Sequence, residues 1–192
     1  METNNTNIPR LLMDIENRTK EIGFNMASGR SLGTLLRTLA ASMRTARLLE
    51  LGTGTGLSLA WMVDGMDAGS SLISIDNDQE LSTIARGFFG TDRRVRLLCT
   101  DAGSWISSYK GEKFDLVFAD AWPGKYSHLP ELLTLIKPGG IYVVDDLLEQ
   151  PNWPPGHTTN VSRFLSYMEA RTDFHCCFLN CSSGILLATK KW

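Results

Sequence analysis

Several features that would narrow the function of this protein are missing from its sequence. No apolar run approaches the roughly 18 residues of a transmembrane helix, so we expect no membrane span. Residues 1–5 are polar and lack the apolar core of a signal peptide, which favours a cytoplasmic location. Charges of the two signs nearly cancel, with 19 basic and 21 acidic residues, so the net charge gives no reason to expect a nucleic-acid or membrane partner.

Cysteine is scarce as well. The four cysteines are Cys99, Cys176, Cys177 and Cys181, and in the cytosol they should remain reduced. His175 adjoins this group, as in some zinc sites, but neighbours on a strand point to opposite faces, so Cys176 and Cys177 are not expected to share one ion. The favoured interpretation is that the thiols pack in the core as small apolar groups.

The length and composition suit a single domain. A chain of 192 residues, 43% of them hydrophobic, can bury a full-sized core. No repeat, low-complexity tract or long linker divides it. Residues 1–7 are predicted to be disordered, residues 8–43 to form two amphipathic helices, and residues 46–190 to form the core.

Apolar strands and helical segments alternate through this core, which predicts a parallel sheet with right-handed crossovers. The last two strands, 174–179 and 185–189, are separated by a loop too short for a helical crossover and should form an antiparallel hairpin. The fold class is therefore α/β and Rossmann-like, with seven strands, a C-terminal antiparallel hairpin, helices on both faces and extra N-terminal helices. The other predicted strands span 46–51, 71–76, 95–100, 114–120 and 140–145, and the predicted helices span 8–22, 31–43, 56–66, 78–89, 102–109, 126–136 and 158–171.

Three glycines at alternate positions follow the first strand of the core. Gly52, Gly54 and Gly56 let the backbone turn tightly and approach a ligand where a Cβ would collide. The helix that follows would direct its free N–H groups at that ligand. Asp76 ends the next strand, where a carboxylate typically binds a pair of ribose hydroxyls. The pattern predicts a nucleoside-cofactor site.

The glycine spacing argues against a dinucleotide. The fingerprint G-x-G-x-x-G would need a third glycine where this chain has Leu57 or Leu59, so NAD-dependent oxidoreduction is disfavoured. The G-x-G-x-G spacing after Glu50 resembles motif I of the class I S-adenosylmethionine-dependent methyltransferases. The terminal hairpin is similarly typical of their seven-stranded sheet. A strand-to-helix turn that uses glycine for its geometry alone is the alternative.

Two further segments resemble one subgroup of these enzymes. Residues 118–126 (FADAWPGKY) and 138–146 (PGGIYVVDD) are similar to the metal-site segments of the cation-dependent O-methyltransferases, the group that contains catechol and caffeoyl-CoA O-methyltransferases. The similarity extends over residues 8–190. It implies methyl transfer from S-adenosylmethionine to a hydroxyl oxygen of a small molecule such as a catechol or other diphenol, with Mg²⁺ or another divalent cation. It also implies N-terminal helices that cover the cofactor, and a homodimer.

The resemblance implies a metal site at Asp120, Asp145 and Asp146, which end the fourth and fifth strands. Ligands bind at the carboxyl ends of parallel strands, and three carboxylates there would repel one another unless a cation neutralised them. Mg²⁺ suits oxygen ligands and would lower the pKa of a bound hydroxyl. Capping of the strand ends is the alternative role for these aspartates.

The resemblance also implies where the cofactor binds. Its methionine part would contact the first strand and the glycine turn, Asp76 would hold the ribose, and the chain after the third strand would flank the adenine. Core packing is the alternative for Met26 and Trp122. The implied cofactor residues are Met26, Ser28, Glu50, Gly52, Thr53, Gly54, Gly56, Ser58, Asp76, Asn77, Asp101, Ala102, Asp120 and Trp122.

This chain departs from the family pattern at two positions. Pro123 stands where the family commonly has a lysine that acts as general base, and Asp146 stands where the last metal ligand is usually asparagine. Either the metal alone acidifies the acceptor, or another group is the base. Lys125, His128 and His157 are candidates, and His157 and Lys125 are taken as the catalytic residues, His157 first because a histidine titrates in the useful range.

The proline-rich loop over 150–157 follows the fifth strand and should lie on the same rim as the three aspartates. Trp153 in this loop can stack on a flat acceptor, and a purely structural crossover is the alternative.

For the whole protein, two other functions stay open: a metal-independent methyltransferase acting on nitrogen or on a non-catechol hydroxyl, and a non-catalytic protein that binds S-adenosylmethionine.

Overall fold

The computed structural model describes residues 8–151 and 153–192, so the segment predicted to be disordered, residues 1–7, lies outside the described residues. The described chain alternates helices and strands after two N-terminal helices. The helices are α1 (Leu12–Glu21), α2 (Arg30–Ala41), α3 (Leu57–Gly65), α4 (Gln79–Phe89), α5 (Ala102–Ser108), α6 (Leu129–Thr134) and α7 (His157–Glu169), and the strands are β1 (Arg47–Leu51), β2 (Ser71–Asp76), β3 (Val95–Cys99), β4 (Phe114–Ala119), β5 (Ile136–Val144), β6 (Phe174–Leu179) and β7 (Ile185–Lys190).

The seven strands form one sheet in the order β3-β2-β1-β4-β5-β7-β6. The five strands from β3 to β5 are parallel, whereas β7 pairs antiparallel with both β5 and β6. The predicted fold class is therefore confirmed. The winding reverses at β1, which lies between β2 and β4, and the carboxyl ends of these strands open the crevice where ligands bind in such sheets.

Helices cover both faces of the sheet because the central strands are apolar on both sides. Leu48 and Phe118 belong to the core beneath α1, α2 and α3, and Leu49 and Val117 belong to the opposite core beneath α5, α6 and α7. None of the helices in the described part of the chain is long and apolar enough to span a membrane.

Three elements have a boundary that differs from the prediction by more than two residues. α1 begins at Leu12 rather than at residue 8, after a turn in which the Leu12 amide donates to the Pro9 carbonyl. The helix predicted over 126–136 is only α6, because residues 122–128 form a tight turn that ends at His128 in the left-handed region, φ 55°. β5 begins at Ile136 rather than at residue 140, with an irregular register against β4.

The expectation that the cysteines pack in the core is wrong. Cys176, Cys177 and Cys181 are exposed and Cys99 is partly buried. The reason is the sheet order, which places β6 at an edge where only its first residue, Phe174, is buried.

Gly33 lets α2 and α3 approach each other. A Cβ on Gly33 would lie 2.2 Å from Cδ1 of Trp61, whose ring is itself buried. No side chain larger than hydrogen fits there without displacing the ring or the helix.

Substitution of this glycine should destabilise the protein. Gly33→Ala is expected to lower the free energy of unfolding by about 1–3 kcal/mol through overpacking. Gly87→Ala is the matched control, since a Cβ there meets no atom within 4 Å, and alanine should stabilise α4 by about 0.5–1 kcal/mol. Urea denaturation measures both, and equal stability of the two variants would contradict the described packing.

Candidate active site

The glycine turn lies against the ends of β2 and β4. Gly52 has φ +96°, and a Cβ there would lie 2.6 Å from the Asp120 carbonyl oxygen. The Gly54 amide donates to Asp76 Oδ2 at 2.8 Å. The turn is therefore tied to Asp76 and packed against the backbone from which Asp120 projects.

Glu50 lies beneath this turn and is fully buried. Its carboxylate accepts hydrogen bonds from the hydroxyls of Ser58, at 2.6 Å, and Ser74. Burial raises the pKa of Glu50 to about 8 against the effect of these two bonds. The carboxylate thus anchors the start of α3 to β1 and β2, and contact with the cofactor stays a prediction for Glu50 and Ser58.

A groove of about 330 Å³ opens at the carboxyl ends of β1, β2 and β3. The Asp76 carboxylate is fixed there by the Gly54 amide and, at 2.9 Å, by the Asp78 amide. Asp101 caps α5 by accepting from the Ser104 amide at 2.7 Å. Hydrogen bonding by the Ser104 side chain, followed by that amide, lowers the pKa of Asp101. Eight predicted cofactor residues line the groove: Met26, Gly52, Asp76, Asn77, Asp101, Ala102, Asp120 and Trp122.

A larger cavity of about 580 Å³ adjoins the groove. The two share a wall made of Met26, Asp120, Ala121 and Trp122. Ser28 lines the larger cavity, whereas Glu50, Thr53, Gly54, Gly56 and Ser58 line neither of the two. A ligand in the groove and a ligand in the cavity would meet at this wall.

One side of the larger cavity carries Asp120, Asp145 and Asp146, which we call the acidic cluster. Burial, followed by the neighbouring Asp145, raises the pKa of Asp120 to about 7, and burial raises the pKa of Asp145. The sequence was therefore right that three carboxylates converge at the ends of β4 and β5.

Each carboxylate of the acidic cluster accepts a hydrogen bond from a different loop. Ser28, before α2, donates to Asp120 Oδ2 at 3.3 Å, and Ser183, in the β6–β7 turn, donates to Asp145 Oδ1. Trp153 Nε1 lies 2.9 Å from both oxygens of Asp146.

This donor set does not fit a divalent metal ion. Mg²⁺ takes oxygen ligands in octahedral geometry, whereas here the ammonium of Lys125 lines the same cavity as the three carboxylates and donates to the Asp146 carbonyl. Across residues 8–151 and 153–192, no three His, Cys, Asp or Glu side chains are grouped so that they could hold an ion. The three aspartates stay predicted ligands, and no chemical step is assigned to a metal here.

Lys125 lies beside the acidic cluster and is 4% exposed. Its Nζ donates to the Asp146 carbonyl at 3.3 Å and lies 5.0 Å from the centre of the Tyr126 ring. Burial lowers the pKa of Lys125, and the charges of the three aspartates, Asp120 foremost, oppose this shift. Lys125, one of the two predicted catalytic residues, is therefore held inside the site.

Aromatic side chains line the cavity next to the acidic cluster. The His157 ring centre lies 4.6 Å from that of Trp153 and 5.1 Å from that of Tyr126. Its Nε2 lies 3.1 Å from the Tyr126 hydroxyl, while Nδ1 is buried without a hydrogen-bond partner in the described structure. Burial lowers the pKa of His157, so the neutral imidazole is favoured. His128, another candidate base, lines neither the groove nor the cavity.

Ser183 and Tyr126 both line the larger cavity, but the sequence analysis assigned neither residue to the site. Ser183 reaches Asp145 because β7 pairs antiparallel with β5, Val144 opposite Leu186, which brings the preceding turn over the cluster. The Leu147 and Leu148 amides donate to the Ser183 carbonyl at 2.9 Å and 2.7 Å and fix that turn. The Ser-Ser-Gly sequence marks a turn, but no local pattern shows which carboxylate it faces.

Replacement of Glu50 by glutamine tests the buried carboxylate beneath the turn. A carboxyl group whose pKa is raised on folding binds more protons in the folded state, so its contribution to stability falls as the pH rises. Wild type should lose this contribution between the ordinary pKa of 4.5 and about pH 8.

The free energy of unfolding of Glu50→Gln, relative to wild type, should therefore increase across that pH range in urea denaturation. Glu112→Gln, at an exposed carboxylate, controls for the loss of a surface charge. A difference between Glu50→Gln and wild type that does not change with pH would contradict the raised pKa.

Comparison with known proteins places this geometry in a family. The model of a family described as O-methyltransferase matches residues 2–191. A putative O-methyltransferase from Mycolicibacterium vanbaalenii is 34% identical over 132 residues, which are 66% of this chain and 58% of the relative. This chain thus spans less than two thirds of the length of that relative.

Solved structures share the fold. An O-methyltransferase from Bacillus cereus in complex with S-adenosylhomocysteine superposes with a TM-score of 0.80, at 21% identity over 94% of this chain and 90% of the other. TomG from Streptomyces achromogenes, an O-methyltransferase of tomaymycin synthesis solved with S-adenosylmethionine, gives a TM-score of 0.82 at 24% identity, over 95% and 90%. Because the family model covers nearly the whole sequence, the chain belongs to the O-methyltransferase family.

Proposed function

We propose that this protein transfers the methyl group of S-adenosylmethionine to a hydroxyl oxygen of a small aromatic acceptor of the catechol or diphenol class. The observation that carries the proposal is the wall shared by the groove and the larger cavity. A cofactor in the groove would present its methyl group at this wall to an acceptor in the cavity. Family membership and the cofactor-bound structural neighbours support the same reading.

Individual residues of the groove suit different parts of S-adenosylmethionine. The Asp76 carboxylate is oriented by two backbone amides and would accept from the ribose hydroxyls. The Trp122 ring is 51% exposed, so one face is available to a flat base. Met26, 66% exposed in the segment between α1 and α2, would lie near the sulfonium.

The larger cavity suits a flat polar acceptor. Trp153 and Tyr126 supply apolar ring surface, and the adjoining acidic cluster with Lys125 supplies polar groups. An aromatic ring with vicinal hydroxyls is apolar on its faces and polar along one edge, which matches this division. Positioning of its oxygen in line with the methyl–sulfur bond would supply much of the rate.

Assistance by Mg²⁺, which the resemblance implies, stays a prediction. An ion among the aspartates would lie close to the buried Lys125 ammonium, whose positive charge opposes its binding. The predicted homodimer is also a proposal, and Met13 on α1, which is 48% exposed, is an apolar side chain that such a contact could bury. Size-exclusion chromatography with light scattering tests it. The cytoplasmic location likewise stays a prediction.

Cofactor binding can be tested without knowing the acceptor. Asp76→Asn is expected to weaken S-adenosylhomocysteine binding by about 10–100-fold, since hydrogen bonds to a charged group contribute about 1.5–3 kcal/mol. Calorimetric titration measures the dissociation constants. Asp14→Asn, at an exposed carboxylate on α1, is the control and should bind as wild type does. Equal affinity of Asp76→Asn and wild type would contradict the assignment of the groove.

The activity itself is tested by methyl transfer from S-adenosylmethionine to a panel of catechols, other diphenols and monophenols. We expect turnover with vicinal diphenols and little with monophenols. Wild type that binds S-adenosylhomocysteine but methylates none of the panel would contradict the proposed acceptor class. Each reaction is run with Mg²⁺ and again with EDTA, and loss of turnover in EDTA would support the predicted metal.

A further inference from the structure

The acidic cluster already contains a cation of its own. Lys125 is only 4% exposed, and it lines the same cavity as Asp120, Asp145 and Asp146. A buried ammonium is costly unless negative groups surround it, and here three carboxylates supply the compensating charge. Removal of either partner would leave the other uncompensated.

The ammonium also has hydrogen-bonding capacity to spare. A lysine has three N–H donors, and in the described part of the chain one protein acceptor, the Asp146 carbonyl at 3.3 Å, is in reach. Two donors thus remain for an oxygen atom in the cavity. The nearby Ser28, Ser183 and Trp153 do not accept hydrogen bonds from Lys125. Each of them donates to one of the three carboxylates instead.

The local backbone fixes the lysine in this place. Residues 122–126 form the turn in which the Trp122 carbonyl accepts from the Tyr126 amide at 2.9 Å. Gly124, at φ +88°, packs so closely that a Cβ would lie 2.5 Å from Leu51 Cδ1, and its carbonyl accepts from the buried Tyr142 hydroxyl. The lysine that follows Gly124 is held by this turn against the cluster.

We propose that the Lys125 ammonium acts as the internal cation of the acidic cluster and binds the acceptor hydroxyl oxygen, in the role that a divalent metal ion has in the enzymes this chain resembles. Lys125 is then a catalytic residue, because it touches the reacting oxygen. The inference rests on the proposed function for the identity of the reaction, but the charge of the cluster can be tested independently.

The bond changes balance without a metal. The acceptor hydroxyl releases its proton to water in the open cavity, and the ammonium stabilises the resulting oxyanion. A lone pair of this oxygen forms the O–CH₃ bond as the S–CH₃ bond breaks, and the electron pair of that bond stays on sulfur. The sulfonium becomes a neutral thioether, and Lys125 ends the reaction protonated as it began.

The acidity of the acceptor provides the sharpest test. Lys125→Met keeps the length of the side chain and removes its charge, whereas Lys113→Met does the same at an exposed lysine on the surface. With catechol at pH 8, Lys125→Met should lose about 10²–10³-fold in kcat, as expected when one donor to a developing oxyanion is removed. With 4-nitrocatechol, which is already ionised at that pH, the loss should be much smaller. Lys113→Met should match wild type with both acceptors.

Metal binding provides a measurement that does not depend on turnover. Mn²⁺ titrated into wild type should bind weakly, because the ammonium compensates the carboxylates. Lys125→Met should bind Mn²⁺ at least about tenfold more tightly, since one charge at close range contributes 1.4 kcal/mol or more in a partly buried site. Lys125→Arg, which retains the positive charge, should bind it as weakly as wild type does, and circular dichroism confirms that each variant is folded.

Two results would overturn the proposal. One is wild-type turnover that EDTA abolishes and Mg²⁺ restores, and the other is Mn²⁺ binding by wild type as tight as by Lys125→Met. If no acceptor is methylated by wild type, the proposed function fails on its own, and the Mn²⁺ comparison still decides whether Lys125 is the cation of the cluster.

Discussion

The concentration of negative charge at the carboxyl ends of β4 and β5 is the constraint on which the site depends. Asp120, Asp145 and Asp146 lie together in a partly closed cavity, where burial, followed by the charge of Asp145, raises the pKa of Asp120. The surrounding chain compensates them from several sides, with the Ser28 and Ser183 hydroxyls, the Trp153 indole and the Lys125 ammonium. These contacts therefore hold the loops that carry the donors against the acidic cluster.

The sheet order brings cofactor and acceptor sites together. Because β1 pairs with β2 on one side and β4 on the other, the glycine turn after β1 adjoins both Asp76 and Asp120. The groove for a nucleoside thus opens towards β2, and the larger cavity opens towards β5. Gly52 permits the contact, since a side chain there would meet the Asp120 carbonyl. Gly52, directly after the central strand, therefore allows the two sites to adjoin each other.

Sequence patterns predicted the regular part of this structure well and the irregular part less well. Strand and helix periodicity and the short terminal loop were enough for the seven-stranded sheet, and strand ends were enough to bring three aspartates together. The last three residues of the turn over 122–128 were predicted as the start of the helix 126–136, because the hydrogen bonds of the turn and the left-handed His128 leave no periodic signal. The bond from Ser183 depends on the pairing of β7 with β5, and the burial of Lys125 depends on packing of its turn against Leu51 and Tyr142, so no local pattern could reveal either one.

The central claim, that a lysine of this chain supplies the positive charge of the acidic cluster, is tested most directly by a crystal structure grown with S-adenosylhomocysteine and a saturating concentration of MnCl₂. Diffraction at the manganese absorption edge locates any bound ion. The account predicts S-adenosylhomocysteine in the groove at Asp76, Lys125 beside the three carboxylates and no anomalous peak among them. A manganese peak coordinated by Asp120, Asp145 and Asp146, with the Lys125 side chain displaced, would contradict it.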